Sequence, residues 1–170
     1  HRFLPDVINI FDTYNKNRLS DIYFSMRNTY RISNRNELNF GILERYNDIY
    51  YHKDADRIYI YDNTEQSAVT STIYFQDRIR LSDKLTIKPG IRSSYYTGQQ
   101  KLFIEPRFAI NYKFSETFTA RMATGRYFQF ISQVFVPQET GYNKNFWVLA
   151  DDSLHPVVSS DHIILGMTVG

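Results

Sequence analysis

Apolar and polar residues alternate along this chain with period two. The stretch KLFIEPRFAINYKFSETFTARM, Lys101 to Met122, shows it best. Leu102, Ile104, Phe108, Ile110, Tyr112 and Phe114 share one parity, and Lys101, Glu105, Arg107, Asn111 and Lys113 share the other. The pattern turns at Ser115-Glu116 and resumes with Phe118, Ala120 and Met122. Such alternation belongs to strands with one apolar and one polar face. No segment carries a convincing helical period. The pattern predicts seven strands, at about 20–32, 37–50, 67–82, 84–97, 101–114, 117–131 and 159–170. Most run to about 12 residues or more, whereas soluble strands cluster near 5–6 and tilted membrane strands need about 9–11.

The connections are asymmetric. SNRN at 33–36, SDK at 82–84 and SE at 115–116 are short and polar. They alternate with connections at 51–66, 97–100 and 132–158, two of them long. In an up-and-down sheet alternate connections lie at one end, so tight turns gather at one end and large loops at the other. Outer-membrane barrels have this asymmetry. Apolar pairs bracket the turns: Ile32 and Leu38, Leu81 and Leu85, Phe114 and Phe118. Towards the opposite ends lie Tyr46, Tyr50, Tyr51, Tyr95, Tyr96, Tyr127, Phe128 and Phe130, which suit an interfacial aromatic girdle. The predicted fold is all-β, an antiparallel up-and-down transmembrane β-barrel. Ile73, Phe75, Ile87, Ile91, Ile104, Phe108 and Ile110 are expected to face lipid, and Lys88, Arg92, Glu105, Arg107 and Asn111 the lumen. The rival is a soluble antiparallel sandwich, which also alternates.

Four residues sit awkwardly in this pattern. Asp77 and Arg126 fall on the apolar parity. Arg126 is expected near the interface or turned inward by a bulge. Pro89 and Pro106 lie inside strands, where each removes a ladder hydrogen bond.

Composition narrows the classes. The 170 residues suit one domain, 1–170, and contain no Cys, so no disulfide or thiolate metal site is available. A net charge of +2 with interspersed signs gives no electrostatic case for nucleic acid. No stretch approaches the roughly 20 apolar residues of a membrane helix, which says nothing against a barrel. The sequence starts at His1 without a signal pattern and stops at Gly170 within an alternating run, as a segment of a longer polypeptide would.

The pieces ELNFGILERYNDIYY, TIYFQDRIRLSDKLTIKPGIRSSYY, FIEPRFAINYKFSETFTARMATGRYFQF, FWVLADD and PVVSSDHIILG follow in order from about residue 37 to 170. Together they resemble the C-terminal half of the barrel of TonB-dependent outer-membrane receptors, with Pro89 and Pro106 in that family's PG and EPR positions. The resemblance implies a segment of about seven or eight strands, the eighth being RFLPDVINIF at 2–11, of a larger barrel of about 22 strands enclosing a plug. It also implies an integral outer-membrane receptor that imports a scarce nutrient with energy from the TonB complex, acting through the plug. The nutrient classes are an iron-siderophore, a cobalamin-like compound or a glycan. Neither plug nor TonB box is recognisable in these residues, so energy coupling attaches to the parent protein.

The chain contains no Gly-rich phosphate loop, HExxH or EF-hand loop. No catalytic residue, metal or cofactor is predicted. Asp161 and His162 could suggest a hydrolase, but neighbours on a strand point to opposite faces. Asp151, Asp152 and His155 offer metal donors, for which solvated loop charges are the commoner explanation. The polar row Lys101, Glu105, Arg107, Asn111, Lys113, Arg121 could line a transport path or simply bond to a plug. On the longest loop, Phe135, Tyr142, Phe146 and Trp147 are expected either to contact ligand, with Asp151 and Asp152 tuning selectivity by charge, or to pack the loop onto its neighbours or a plug. A small closed barrel with an adhesive or structural role, and an outer-membrane hydrolase, remain as alternatives.

Overall fold

The computed structural model describes residues 13–55, 62–137 and 143–170. RFLPDVINIF at 2–11 and Tyr142 lie outside them, as does the side chain of Phe135. Among the described residues there are nine strands: β1 (Thr13–Arg31), β2 (Asn36–Ala55), β3 (Asp62–Arg80), β4 (Leu85–Tyr96), β5 (Lys101–Lys113), β6 (Phe118–Gln129), β7 (Ile131–Pro137), β8 (Asn143–Leu149) and β9 (Val158–Val169). Seven form one antiparallel sheet in the order β1-β2-β3-β4-β5-β6-β9, and β7 pairs with β8 as a separate hairpin. The expected count of seven therefore holds for the main sheet. It misses the hairpin, which lies within the stretch read as loop at 132–158. The expected connection at 51–66 is shorter than predicted, because β2 runs on to Ala55 and β3 starts at Asp62.

The three tight turns share one device. Ser33 Oγ accepts the N–H groups of Arg35 and Asn36, both at 3.1 Å. Ser82 Oγ accepts those of Lys84 and Leu85 at 3.2 and 3.1 Å. Ser115 Oγ accepts those of Thr117 and Phe118 at 3.3 and 3.0 Å. A serine hydroxyl standing in for a backbone acceptor closes a turn without glycine. These turns lie at one end of the sheet, and the β4–β5 turn and the hairpin at the other.

The register sorts the residues by face. Ile87 is opposite Ile110, Ile91 opposite Pro106, and Ser93 opposite Ile104. Phe75 faces Ile91 across β3 and β4. This face is uncovered: Ile104 is 50% exposed and Phe75 45%. The other face carries the hairpin. Ile49, Ala68, Tyr96, Leu149 and Ala150 form a small buried core there, with Leu19, Phe103, Phe130, Ile131 and Val157 packed around it. Gly41 is also on this face, where a Cβ would collide with the Met26 carbonyl and the Tyr74 ring.

One expectation is corrected, one of the two positions expected of Arg126 is not found, and the prolines interrupt ladders as expected. The aromatic girdle divides by parity: Tyr95 is exposed, whereas Tyr96 is 1% exposed and donates its hydroxyl to the Ala150 carbonyl at 2.9 Å. Phe130 stacks on Tyr96 in the same core, with centroids 4.6 Å apart. Arg126 is not turned inward by a bulge. It stays on the apolar face and binds Asp161 of β9 through two hydrogen bonds of 2.8 Å. The prolines mark where ladders stop. Pairing of β3 with β4 skips Asp77 and Arg78, opposite Pro89 and Lys88. Pairing of β5 with β6 ends at Arg107 and Gly125, one residue short of Pro106. A proline offers no N–H for a ladder to continue through. Asp77 Oδ1 is enclosed without a hydrogen-bond partner among the described residues, and nothing in the structure explains an aspartate there.

Candidate functional site

The interruption at Pro106 builds a polar centre. Released from β5, the end of β6 swings its rings onto Phe103, which meets Phe128 at 5.0 Å and Phe130 at 5.1 Å. The Phe128 N–H donates to no β5 carbonyl. It donates to Glu105 Oε1 at 3.0 Å. Glu105 is 2% exposed, and burying a lone carboxylate is very costly. Two cations compensate. Arg107 donates to Glu105 Oε2 at 3.0 Å, and Arg92 Nε lies 3.3 Å from the same oxygen. The Arg92 contact is an ion pair only, since its Nε has no aligned acceptor.

Neighbouring residues hold this centre in place. Arg92 stands opposite Glu105 in the β4–β5 register. The Arg107 side chain crosses Gly125, where an added Cβ would come within 3.2 Å of it. Its guanidinium lies 4.7 Å from the Tyr127 ring centre, a cation–π contact. Thr72 and Ser94, both buried, share a hydrogen bond of 3.0 Å beside it. Further along the same face, Arg45 pairs with Asp21 at 3.5 Å and lies 5.7 Å from the Tyr23 ring.

The hairpin and the segment after it are clamped to the sheet. Ala150 N donates to the Phe130 carbonyl at 2.8 Å, and Gln99 Nε2 to the Asp151 carbonyl at 2.6 Å. Asp152 pairs with Lys101 at 2.7 Å. Asp151 Oδ1 accepts three backbone N–H groups, from Ser153 and Leu154 at 2.8 Å and His155 at 2.9 Å. Those donors, His155 first, hold its carboxyl below the usual carboxylate range. The Phe146 ring meets Tyr51 edge-on at 5.0 Å. Trp147 donates its backbone N–H to Asn17 Oδ1 at 2.9 Å and leaves its side chain 38% exposed.

The structure thus brings Lys88, Arg92, Glu105, Arg107 and Asn111 to one face and Ile73, Phe75, Ile87, Ile91, Ile104, Phe108 and Ile110 to the other. It brings Phe146, Trp147, Asp151 and Asp152 to the loop end, each with a structural partner. Sequence reasoning passed over Arg45, Asn47 and Tyr127 as site residues. Arg45 and Asn47 follow the same parity as Gly41 on β2, which could have flagged them. No group of metal-binding residues occurs among the described residues. Asp161 is held by Arg126, while His162 contacts Ser160 at 3.0 Å and the Tyr127 ring at 5.0 Å.

A family model described as TonB dependent receptor-like, beta-barrel, matches residues 3–156. The chain belongs to the TonB-dependent receptor β-barrel family. Its fold is similar to the siderophore receptor PirA from Pseudomonas aeruginosa, with a TM-score of 0.65 at 14% sequence identity. That alignment covers 92% of this chain and 30% of the PirA chain, so these residues span less than a third of the length of that receptor. No curated protein sequence matches the chain.

Proposed function

We propose that the chain is an arc of a larger outer-membrane barrel in a receptor that imports a scarce nutrient with energy from TonB. One observation carries the reading. Among the described residues the sheet is open, with β1 and β9 at unpaired edges, and has a broad exposed apolar face backed by a face built round buried ionic groups. Water tolerates neither the open edges nor so continuous an apolar surface, whereas a barrel closed by further strands in lipid accommodates both. The apolar face then meets lipid, the ionic face meets the lumen and its plug, and the tight turns lie in the periplasm. The hairpin β7–β8 stands at the external mouth, where the exposed Trp147 offers surface to a ligand.

Because PirA is a siderophore receptor, an iron chelate is the first ligand class to test, ahead of a cobalamin-like compound or a glycan. The test is uptake of each labelled nutrient by cells with and without the full-length gene, in backgrounds with and without TonB. Uptake that needs both supports the reading. Uptake indifferent to TonB overturns it.

The alternatives draw less support. A small closed barrel would have to be completed by residues 2–11, which lie outside the described residues, and among the described residues β1 and β9 do not pair. A hydrolase needs an acid to orient its histidine, and Asp161 is engaged by Arg126 on the opposite face from His162.

A further inference from the structure

Four arginines gather where the first tight turn meets the end of β3. Arg31, Glu37 and Arg78 stand in one row across β1, β2 and β3, as successive partners in the register. Arg35 and Arg80 form the next row, joined by the Arg80 N–H donating to the Arg35 carbonyl at 2.8 Å. Together with Ser33 and Asn34 of the turn, they line a cleft of about 230 Å³. Glu37 is its one carboxylate and pairs with Arg31 alone, at 3.8 Å. The guanidinium groups of Arg35, Arg78 and Arg80 make no ion pair or hydrogen bond among the described residues. Like charges directly opposite on neighbouring strands destabilise a sheet. Four of them around one carboxylate call for an anion from outside the sheet.

Arg31, Glu37, Arg78 and Arg80 lie on the parity opposite to Tyr30, Ile32, Leu38 and Leu81, so the wall itself separates them from lipid headgroups beside the apolar face. Turn residues form part of the cleft's rim and the Arg31 side chain is 74% exposed, so the cleft opens at the end of the wall. Arg31 and Arg78 are two strand spacings apart, about 10 Å. A single phosphate or carboxylate is too small for that span. Carboxylates on one side of an extended peptide recur about every 7 Å and can bridge it. We propose that this end of the wall docks an acidic peptide segment of a separate periplasmic protein, with two or more Asp or Glu side chains on Arg31, Arg35, Arg78 and Arg80. The planar guanidinium fork suits the task because it matches both oxygens of a carboxylate at once. The proposal rests on the receptor reading for naming this end periplasmic.

The test uses the full-length receptor in nanodiscs of zwitterionic phosphatidylcholine, with fluorescent hexaglutamate as the probe and hexalysine as its control. Anisotropy should show saturable binding of hexaglutamate only. Arg78→Gln combined with Arg80→Gln should weaken it about tenfold or more, and so should raising salt from about 0.05 M to about 0.3 M. Position is read with every arginine in place. Hexaglutamate carrying a thiol-reactive tip should couple faster to Asn34→Cys than to Leu154→Cys at the opposite end. Absence of saturable binding, binding unchanged in the double arginine variant, or equal coupling at both ends overturns the proposal. So does a structure of the full-length receptor with one of its own carboxylates, or a phospholipid headgroup, seated in the cleft. TonB-dependent uptake is measured separately. Uptake by a receptor that binds no hexaglutamate defeats this proposal alone, and hexaglutamate binding in a protein that imports nothing defeats the receptor reading alone.

Discussion

Glu105 Oε1 accepts the backbone N–H of Phe128 at 3.0 Å, across the gap that Pro106 opens between β5 and β6. One carboxylate thus replaces a missing ladder bond and neutralises two arginines. Glu105→Ala should destabilise the folded receptor by about 3 kcal/mol or more, because it strands Arg92 and Arg107 beside each other. Glu105→Gln should cost less, since its carbonyl can still accept from Phe128. Urea unfolding in lipid vesicles measures both, and equal losses would show that the Phe128 bond contributes nothing.

Ile110→Arg should cost about 2–4 kcal/mol in the same assay if Ile110 lies near the bilayer midplane. Asn111→Arg, one residue along and on the other face, should change stability by no more than about 0.5 kcal/mol. Similar losses at the two positions would remove the distinction between the faces.

Arg126 and Asp161 explain each other on the apolar face. Asp161→Leu leaves a lone guanidinium towards lipid, and Arg126→Leu leaves a lone carboxylate. Either should destabilise the barrel, and the double Leu variant should be more stable than both. A double variant that merely adds the two losses would mean the pair is not coupled.

Much of this was readable in the sequence because strand period and turn position are local properties. Ile104, Phe108 and Ile110 alternate with Glu105, Arg107 and Asn111 whatever their neighbours are. What was not readable depends on partners far along the chain. Tyr95 and Tyr96 look alike as rim aromatics, and only the arrival of Ala150 buries one of them. β7 and β8 are seven residues each, and their alternation is too short to stand out from a long loop. Pro106 announced a ladder defect, but nothing local revealed that Glu105 would fill it. Arg126 looked misplaced because its partner lies 35 residues further on.

Asp151 sets a pH dependence at the loop end. Its carboxyl titrates below its ordinary value of 3.8 because it accepts the N–H groups of His155, Ser153 and Leu154. A depressed carboxylate pKa stabilises above the unfolded value and is lost as pH falls through the folded one. Exchange protection of those three amides should therefore hold steady from about pH 7 to 5 and fall only below about pH 4. Loss of protection between pH 7 and 5 would contradict this assignment to Asp151.

The most direct measurement is a cysteine scan of β5 in the outer membrane, helped by the absence of Cys from these 170 residues. Single cysteines from Leu102 to Lys113, omitting Glu105, carry a spin label, and its accessibility to oxygen and to a water-soluble nickel complex is read at each. Ile104, Phe108 and Ile110 should favour oxygen, with Arg107, Ala109 and Asn111 favouring nickel or showing protection from both. Strict alternation with that phase supports a barrel wall between lipid and a polar lumen. The opposite phase, or no period of two, would contradict it.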